Sequence, residues 1–153
     1  MPEIGSPAPS FSLPRDGGGT VALADFAGRK VVLYFYPKDD TPGCTTEAID
    51  FTRLAPEFAA ADTVVIGVSK DSVKAHDKFC RKHGLGIILA SDEAGDTCER
   101  YGVWGEKSMY GRTYMGIERA TFLIGRDGRI AAIWPKVKVA GHADEVLAAA
   151  RAL

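Results

Sequence analysis

Cysteine is scarce in this chain: three thiols, Cys44, Cys80 and Cys98, stand among 153 residues. So small and odd a number speaks against the permanent disulfide framework of a small secreted scaffold, and leaves the sulfurs for chemistry or packing. An excess of charge of one sign is missing too. A formal net charge of −1, with no block of Lys and Arg, argues against nucleic acid or an anionic membrane as the main partner. No apolar run approaches the ~20 residues that cross a bilayer, and Met1-Pro2-Glu3-Ile4-Gly5 lacks the basic and apolar regions of a signal peptide. A cytoplasmic location is the expectation. No Gly-Lys-Ser/Thr follows the run Gly17-Gly18-Gly19, which reads as a hairpin connection rather than a phosphate cradle. What remains is ordinary: 46% hydrophobic and 25% charged residues suit one globular domain over residues 1–153.

The organising stretch is VVLYFYPKDDTPGCTTEAIDFTRL, Val31 to Leu54. Val31 to Tyr36 is a nearly all-apolar run rich in β-branched and aromatic residues, as expected of a strand buried on both faces. Pro37 stops it. After a polar turn, in which Asp39-Asp40 reads as turn chemistry, Thr41-Pro42-Gly43-Cys44 opens a segment with apolar residues at helical spacing. Cys44 therefore falls on the first turn of a helix, where open backbone N–H groups and the positive end of the helix dipole favour an anion. A thiol so placed is pushed toward thiolate, the reactive form. The stripe Cys44, Ala48, Phe51, Ala55 and Phe58, flanked by Leu54, turns the sulfur toward the core. Pro56 lies inside the pattern and predicts a kink or break.

In chain order, Phe11–Leu13 and Thr20–Leu23 read as short strands. Val64–Val68 reads as a second buried strand, Asp71–Lys82 as a helix, Ile87–Ala90 as a strand and Asp96–Tyr101 as a short helix. Gly102 to Glu118 reads as a long loop rich in glycine and aromatics, too apolar for a simple connector. Its Tyr110 and Met115 suggest an apolar collar beside Cys44, a docking surface for a reductant, or a cover over the open end of the sheet. Ala120–Ile124 and Ile130–Trp134 form a hairpin across Gly125-Arg126-Asp127-Gly128, and His142–Ala152 closes the chain as a helix. This order predicts a thioredoxin-like α/β three-layer sandwich, with a central mixed β-sheet, helices on both faces and an N-terminal β-hairpin.

Pro37, Thr41 and Cys44 match the P-x-x-x-T-x-x-C signature of peroxiredoxins, and Arg119 stands where that family carries its active-site arginine. TPGCTTEA, VSKDSVKAHDKF, YGVWGEKSMYGRTYMGIERATFLI and Gly141-His142-Ala143 resemble the bacterioferritin comigratory protein, or Q-type, subfamily through nearly the whole chain. The resemblance implies a thiol peroxidase that reduces hydrogen peroxide and organic hydroperoxides without cofactor or metal. It implies that Cys44 becomes a sulfenic acid. It also implies that Thr41 and the Cys44 amide hold the peroxide, that Arg119 stabilises the developing charge and that Pro37 shields the sulfur. Glu47 reads as dipole compensation and, by the resemblance, as a residue that orients Arg119.

Many members carry a resolving cysteine five residues after the first; Ile49 stands there in this chain. Another subgroup resolves from the next helix, which points to Cys80, with thioredoxin or a similar dithiol as reductant and a monomer as the state implied. Cys98 has no motif support. A disulfide needs Cα atoms within about 7 Å, so two cysteines on separately packed helices require one or both helices to unwind. Two other readings stand beside this one. His76, Cys80 and His83 share one helical face at a spacing that suits a metal-binding or sensor module. A general thiol–disulfide oxidoreductase would share the fold, but Thr41 occupies the place of the first cysteine of a C-x-x-C.

Overall fold

In the computed structural model, which describes residues 1–153, a short hairpin of β1 (Ser12–Pro14) and β2 (Thr20–Ala22) comes first, then a 3-10 turn at Leu23–Phe26. The chain continues through β3 (Lys30–Phe35), α1 (Pro42–Ala60), β4 (Thr63–Ser69), α2 (Val73–His83), β5 (Ile88–Ser91) and α3 (Thr97–Arg100). A second hairpin, β6 (Trp104–Met109) and β7 (Arg112–Ile117), precedes β8 (Ala120–Ile124), β9 (Ile130–Trp134) and α4 (His142–Ala152). The five-stranded sheet has the order β5-β4-β3-β8-β9, with β3, β4 and β5 parallel and β8 and β9 antiparallel. β3 runs down its centre, and all six of its residues are buried, as its unbroken apolar run requires. Tyr34 lies beside Gly67 on β4, where a Cβ would come within 2.7 Å of the Tyr34 ring; only glycine lets the ring cross that strand.

Two cores form, one on each face of the sheet. One packs Cys44, Ala48, Phe51, Leu54 and Phe58 of α1 with Phe79 of α2 and Val146, Leu147 and Ala150 of α4. The other packs Phe11, Leu13 and Val21 of the N-terminal region with Cys98, Tyr101, Val103 and Ile117. The sandwich is three-layered with helices on both faces, unevenly shared: α1, α2 and α4 lie on one face, and only the short α3 and the 3-10 turn lie on the other. The second face is covered by the first hairpin, the short α3 and the root of the second hairpin, whose buried leucines, valines and aromatics do what a long helix would do.

Two local expectations are corrected. α1 runs through Pro56 as one continuous helix of 19 residues. The ring is exposed, so the Thr52 carbonyl deprived of its partner lies on the watered side and the helix need not break. Residues 102–118 are a hairpin rather than a loop. Tyr110 and Gly111 both have positive φ, 52° and 76°, the pattern of a two-residue primed turn. Tyr-Gly is a weaker signal than Asn-Gly, and strands with few buried residues show no clean alternation, so the periodicity hides them. The root of this hairpin covers the sheet through Val103 and Ile117, while Met109, Tyr110, Tyr114 and Met115 are exposed.

His142, at the start of α4, shares a 2.8 Å hydrogen bond with the Thr121 hydroxyl on β8. Its burial pushes the imidazole down to about 4. A histidine depressed on folding contributes stability that is complete above its unfolded value near 6.5 and is lost as pH falls toward 4. Urea unfolding of His142→Gln at pH 7 and pH 5 should show an acid-side loss smaller than that of the parent by about 2 kcal/mol.

Candidate active site

Cys44 sits on the first turn of α1, just past the carboxyl end of the central strand. Thr41 is the N-cap, in extended conformation with φ −99° and ψ 155°, and Pro42 opens the helix. The Thr41 hydroxyl accepts from no amide of the first turn, and it donates 2.8 Å to the Lys38 carbonyl rather than to the sulfur. The Gly43 and Cys44 amides thus keep the open donors of a helix start. Pro37 is exposed on the turn that leaves β3.

Arg119 arrives from the other side of β3. It precedes β8, whose first residue, Ala120, pairs antiparallel with Phe35, and this register brings the guanidinium over the first turn of α1. Its Nη2 donates to Cys44 Sγ at 3.3 Å, and its Nη1 donates to Glu47 Oε1 at 2.6 Å. A Cβ on Gly43 would stand 3.2 Å from Arg119 Nη2, so the glycine keeps the path to the sulfur clear. Cys44 and Glu47 are each only 1% exposed, and the Arg119 side chain 17%. Burial works against the Arg119 charge, but Glu47 and Cys44 beside it outweigh that and hold the guanidinium above its ordinary value. Burial pushes the Glu47 carboxyl up to about 7, with Arg119 pulling the other way. Its second oxygen, Oε2, is buried without a partner, so the carboxylate depends on this one guanidinium.

The sheet separates Cys98 from the other two sulfurs. Cys44 belongs to the core on the helical face, and Cys80 packs against that same core from α2. Cys98 is fully buried in the core on the opposite face, where burial and Asp92 raise its thiol well above the ordinary cysteine range. Cys80 is half-buried and donates weakly to Asp16 Oδ2 at 3.7 Å, and burial with Asp16 pushes its thiol up to about 12. All three thiols are reduced. Ile49, five residues past Cys44, is 43% exposed and points away from the core.

The AhpC/TSA family model matches residues 4–133. The chain belongs to that family. Peroxiredoxin Bcp of Xanthomonas campestris is 52% identical over 148 residues, covering 95% of this chain and 92% of the relative. A mutant of Xylella fastidiosa PrxQ superposes with a TM-score of 0.94 at 44% identity, covering 99% and 97% of the two chains. The Xanthomonas campestris bacterioferritin comigratory protein, solved in trapped intermediate and ligand complexes that bear on its alkyl peroxide reduction, superposes with a TM-score of 0.88 at 50% identity, covering 93% and 90%. This chain is a peroxiredoxin of the Bcp/PrxQ kind, and so a thiol peroxidase.

In this peroxiredoxin the metal-binding reading of His76, Cys80 and His83 does not hold. No three His, Cys, Asp or Glu side chains converge as metal ligands. The three side chains go to three different places: His76 to Asp39 and the Ala90 carbonyl, Cys80 to Asp16, His83 to Asp40. Helical spacing put them on one face, but the two histidines are spent on the Asp39-Asp40 turn and Cys80 on Asp16 of the first hairpin. Two features were not legible beforehand. His76 is buried completely, and Asp39 is buried with it. Their only trace in the sequence was the doublet Asp39-Asp40, whose carboxylates meet His76, Lys82 and His83.

Proposed function

We propose that Cys44 is the peroxidatic cysteine, and that the guanidinium contact 3.3 Å from its sulfur is the feature on which this reading rests. The Cys44 thiolate attacks one oxygen of a hydroperoxide; an S–O bond forms, the O–O bond breaks, and water or an alcohol leaves after protonation. Arg119 faces the charge that builds on the leaving oxygen, together with the open Gly43 and Cys44 amides. The Thr41 hydroxyl, its proton given to Lys38, has lone pairs left to accept from the O–H of the peroxide. Pro37 turns the chain at the rim of the site and limits the approach of water. Hydrogen peroxide and organic hydroperoxides are the substrates, and the relative solved for alkyl peroxide reduction supports the second class.

Cys80 resolves the sulfenic acid. It shares the core of the helical face with Cys44, whereas Cys98 lies across the sheet. In the reduced state Cys44 faces Arg119 and Cys80 faces Asp16, so α2, α1 or both must unwind before the sulfurs meet. Thioredoxin or a similar dithiol then reduces the disulfide, with the enzyme acting as a monomer in the cytoplasm. Peptide mapping after one equivalent of peroxide should find Cys44 joined to Cys80. A stable sulfenic acid, or a Cys44–Cys98 bridge in the native protein, would overturn the assignment.

A further inference from the structure

The turn that delivers Cys44 is tied to the helix that carries Cys80 at several points. The Asp39 amide donates to Asp71 Oδ2, just ahead of α2, at 2.9 Å. Asp40 Oδ2 accepts from Lys82 at 2.7 Å, and its Oδ1 lies 2.9 Å from His83 Nε2, at the end of α2. The middle tie is the buried one: His76 Nδ1 lies 2.6 Å from Asp39 Oδ2, while Tyr36 donates to Asp39 Oδ1 at 2.6 Å. His76 Nε2 faces the Ala90 carbonyl at 2.9 Å, so both ring nitrogens meet acceptors and the pair holds one proton more than a neutral ring beside a bare carboxylate. Burial disfavours the charged ring, but the bond to Asp39 and its charge, with the Ala90 carbonyl and Asp71, together outweigh it and raise His76 above its ordinary value. The Asp40 ties are solvent-exposed and therefore weak. The His76–Asp39 tie is not.

We infer that His76 and Asp39 are positioning residues that lock α2 against the peroxidatic turn and set how fast Cys80 is released to meet oxidised Cys44. Cys80 stands one turn after His76 and less than one turn before His83, so it lies within the tied stretch. The reading rests on Cys80 as the resolving thiol. In the step at issue the Cys80 sulfur attacks the Cys44 sulfenic sulfur; an S–S bond forms, the S–O bond breaks, and the thiol proton leaves with the hydroxyl as water. While α2 stays folded, the Cys80 thiol remains protonated and engaged with Asp16 rather than with Cys44, so release of the helix gates this step.

The test is rapid-quench alkylation with mass spectrometry after one equivalent of hydrogen peroxide, which separates sulfenic acid formation from disulfide formation. His76→Gln should raise the rate of the second step about tenfold relative to the first, with faster amide hydrogen exchange confined to α2 in the reduced protein. A ratio unchanged or lowered while α2 exchange quickens would overturn the lock. Asp39→Asn removes the charge at nearly constant volume and should shift the same ratio in the same direction; an unchanged ratio there also counts against it. Parent protein supplies an arm without mutation: oxidation should speed exchange at His76–Cys80 at least tenfold, and retained protection in a protein that has formed the disulfide would overturn the lock. If the parent forms no Cys44–Cys80 disulfide at all, the assignment of Cys80 falls first, and the lock with it.

Discussion

Cys44→Ser is expected to abolish peroxide consumption, lowering the second-order rate constant by about 10³-fold or more, because no other thiol in the fold has both a guanidinium at hydrogen-bond distance and a helix start beneath it. Stopped-flow mixing with hydrogen peroxide measures it. Cys80→Ser should behave differently: one equivalent of peroxide is consumed in a burst at close to the parent rate, and turnover with thioredoxin then fails. Cys98→Ser should leave both phases in place, since its sulfur lies in the core on the other face of the sheet. A Cys44→Ser protein that still consumed peroxide rapidly would move the chemistry to another sulfur.

The second large effect belongs to Arg119. Replacement by Gln removes the donor to Cys44 Sγ and is expected to slow the reaction with peroxide by about 10² to 10³, the usual cost of deleting one positioned donor at a developing charge. It also strands Glu47, 1% exposed with one oxygen already unpartnered, so stability should fall by roughly 3–5 kcal/mol. The two losses separate in the double variant Arg119→Gln, Glu47→Gln. Two facing amides carry no buried charge, so urea unfolding should recover much of the lost stability while the peroxide rate stays low. Recovery of the rate with the stability would reduce Arg119 to a structural partner of Glu47.

Most of the frame was readable from local patterns. The apolar run at Val31–Tyr36 announced the central strand, Thr41-Pro42 the helix start, and the Cys44, Ala48, Phe51, Phe58 stripe the buried face, since each depends on neighbours within a few residues. Arg119 was assigned by resemblance alone; what carries it to Cys44 is the antiparallel register of β8 on β3, which spacing along the chain cannot express. The same limit explains the misreadings. Strands β6 and β7 pair only with each other, outside the five-stranded sheet, so no half-buried alternation marks them. Glu47 read as a first-turn acid that, by the resemblance, also orients Arg119; the contact is there, but its burial depends on partners that local sequence does not show. The buried pairing of His76 was not legible because its partner, Asp39, is 37 positions away.

The five-stranded sheet is also a bulkhead. On the proposed chemistry, oxidising equivalents that enter through Cys44 stay in one compartment of the molecule, and Cys98 on the far side cannot be reached without dismantling the wall between them. A cross-link between Cys44 and Cys98 is therefore forbidden to the intact fold but open to a denatured chain. Its yield in heat-stressed or aged preparations should count molecules that have lost their architecture, a gauge of damage carried in the covalent structure itself.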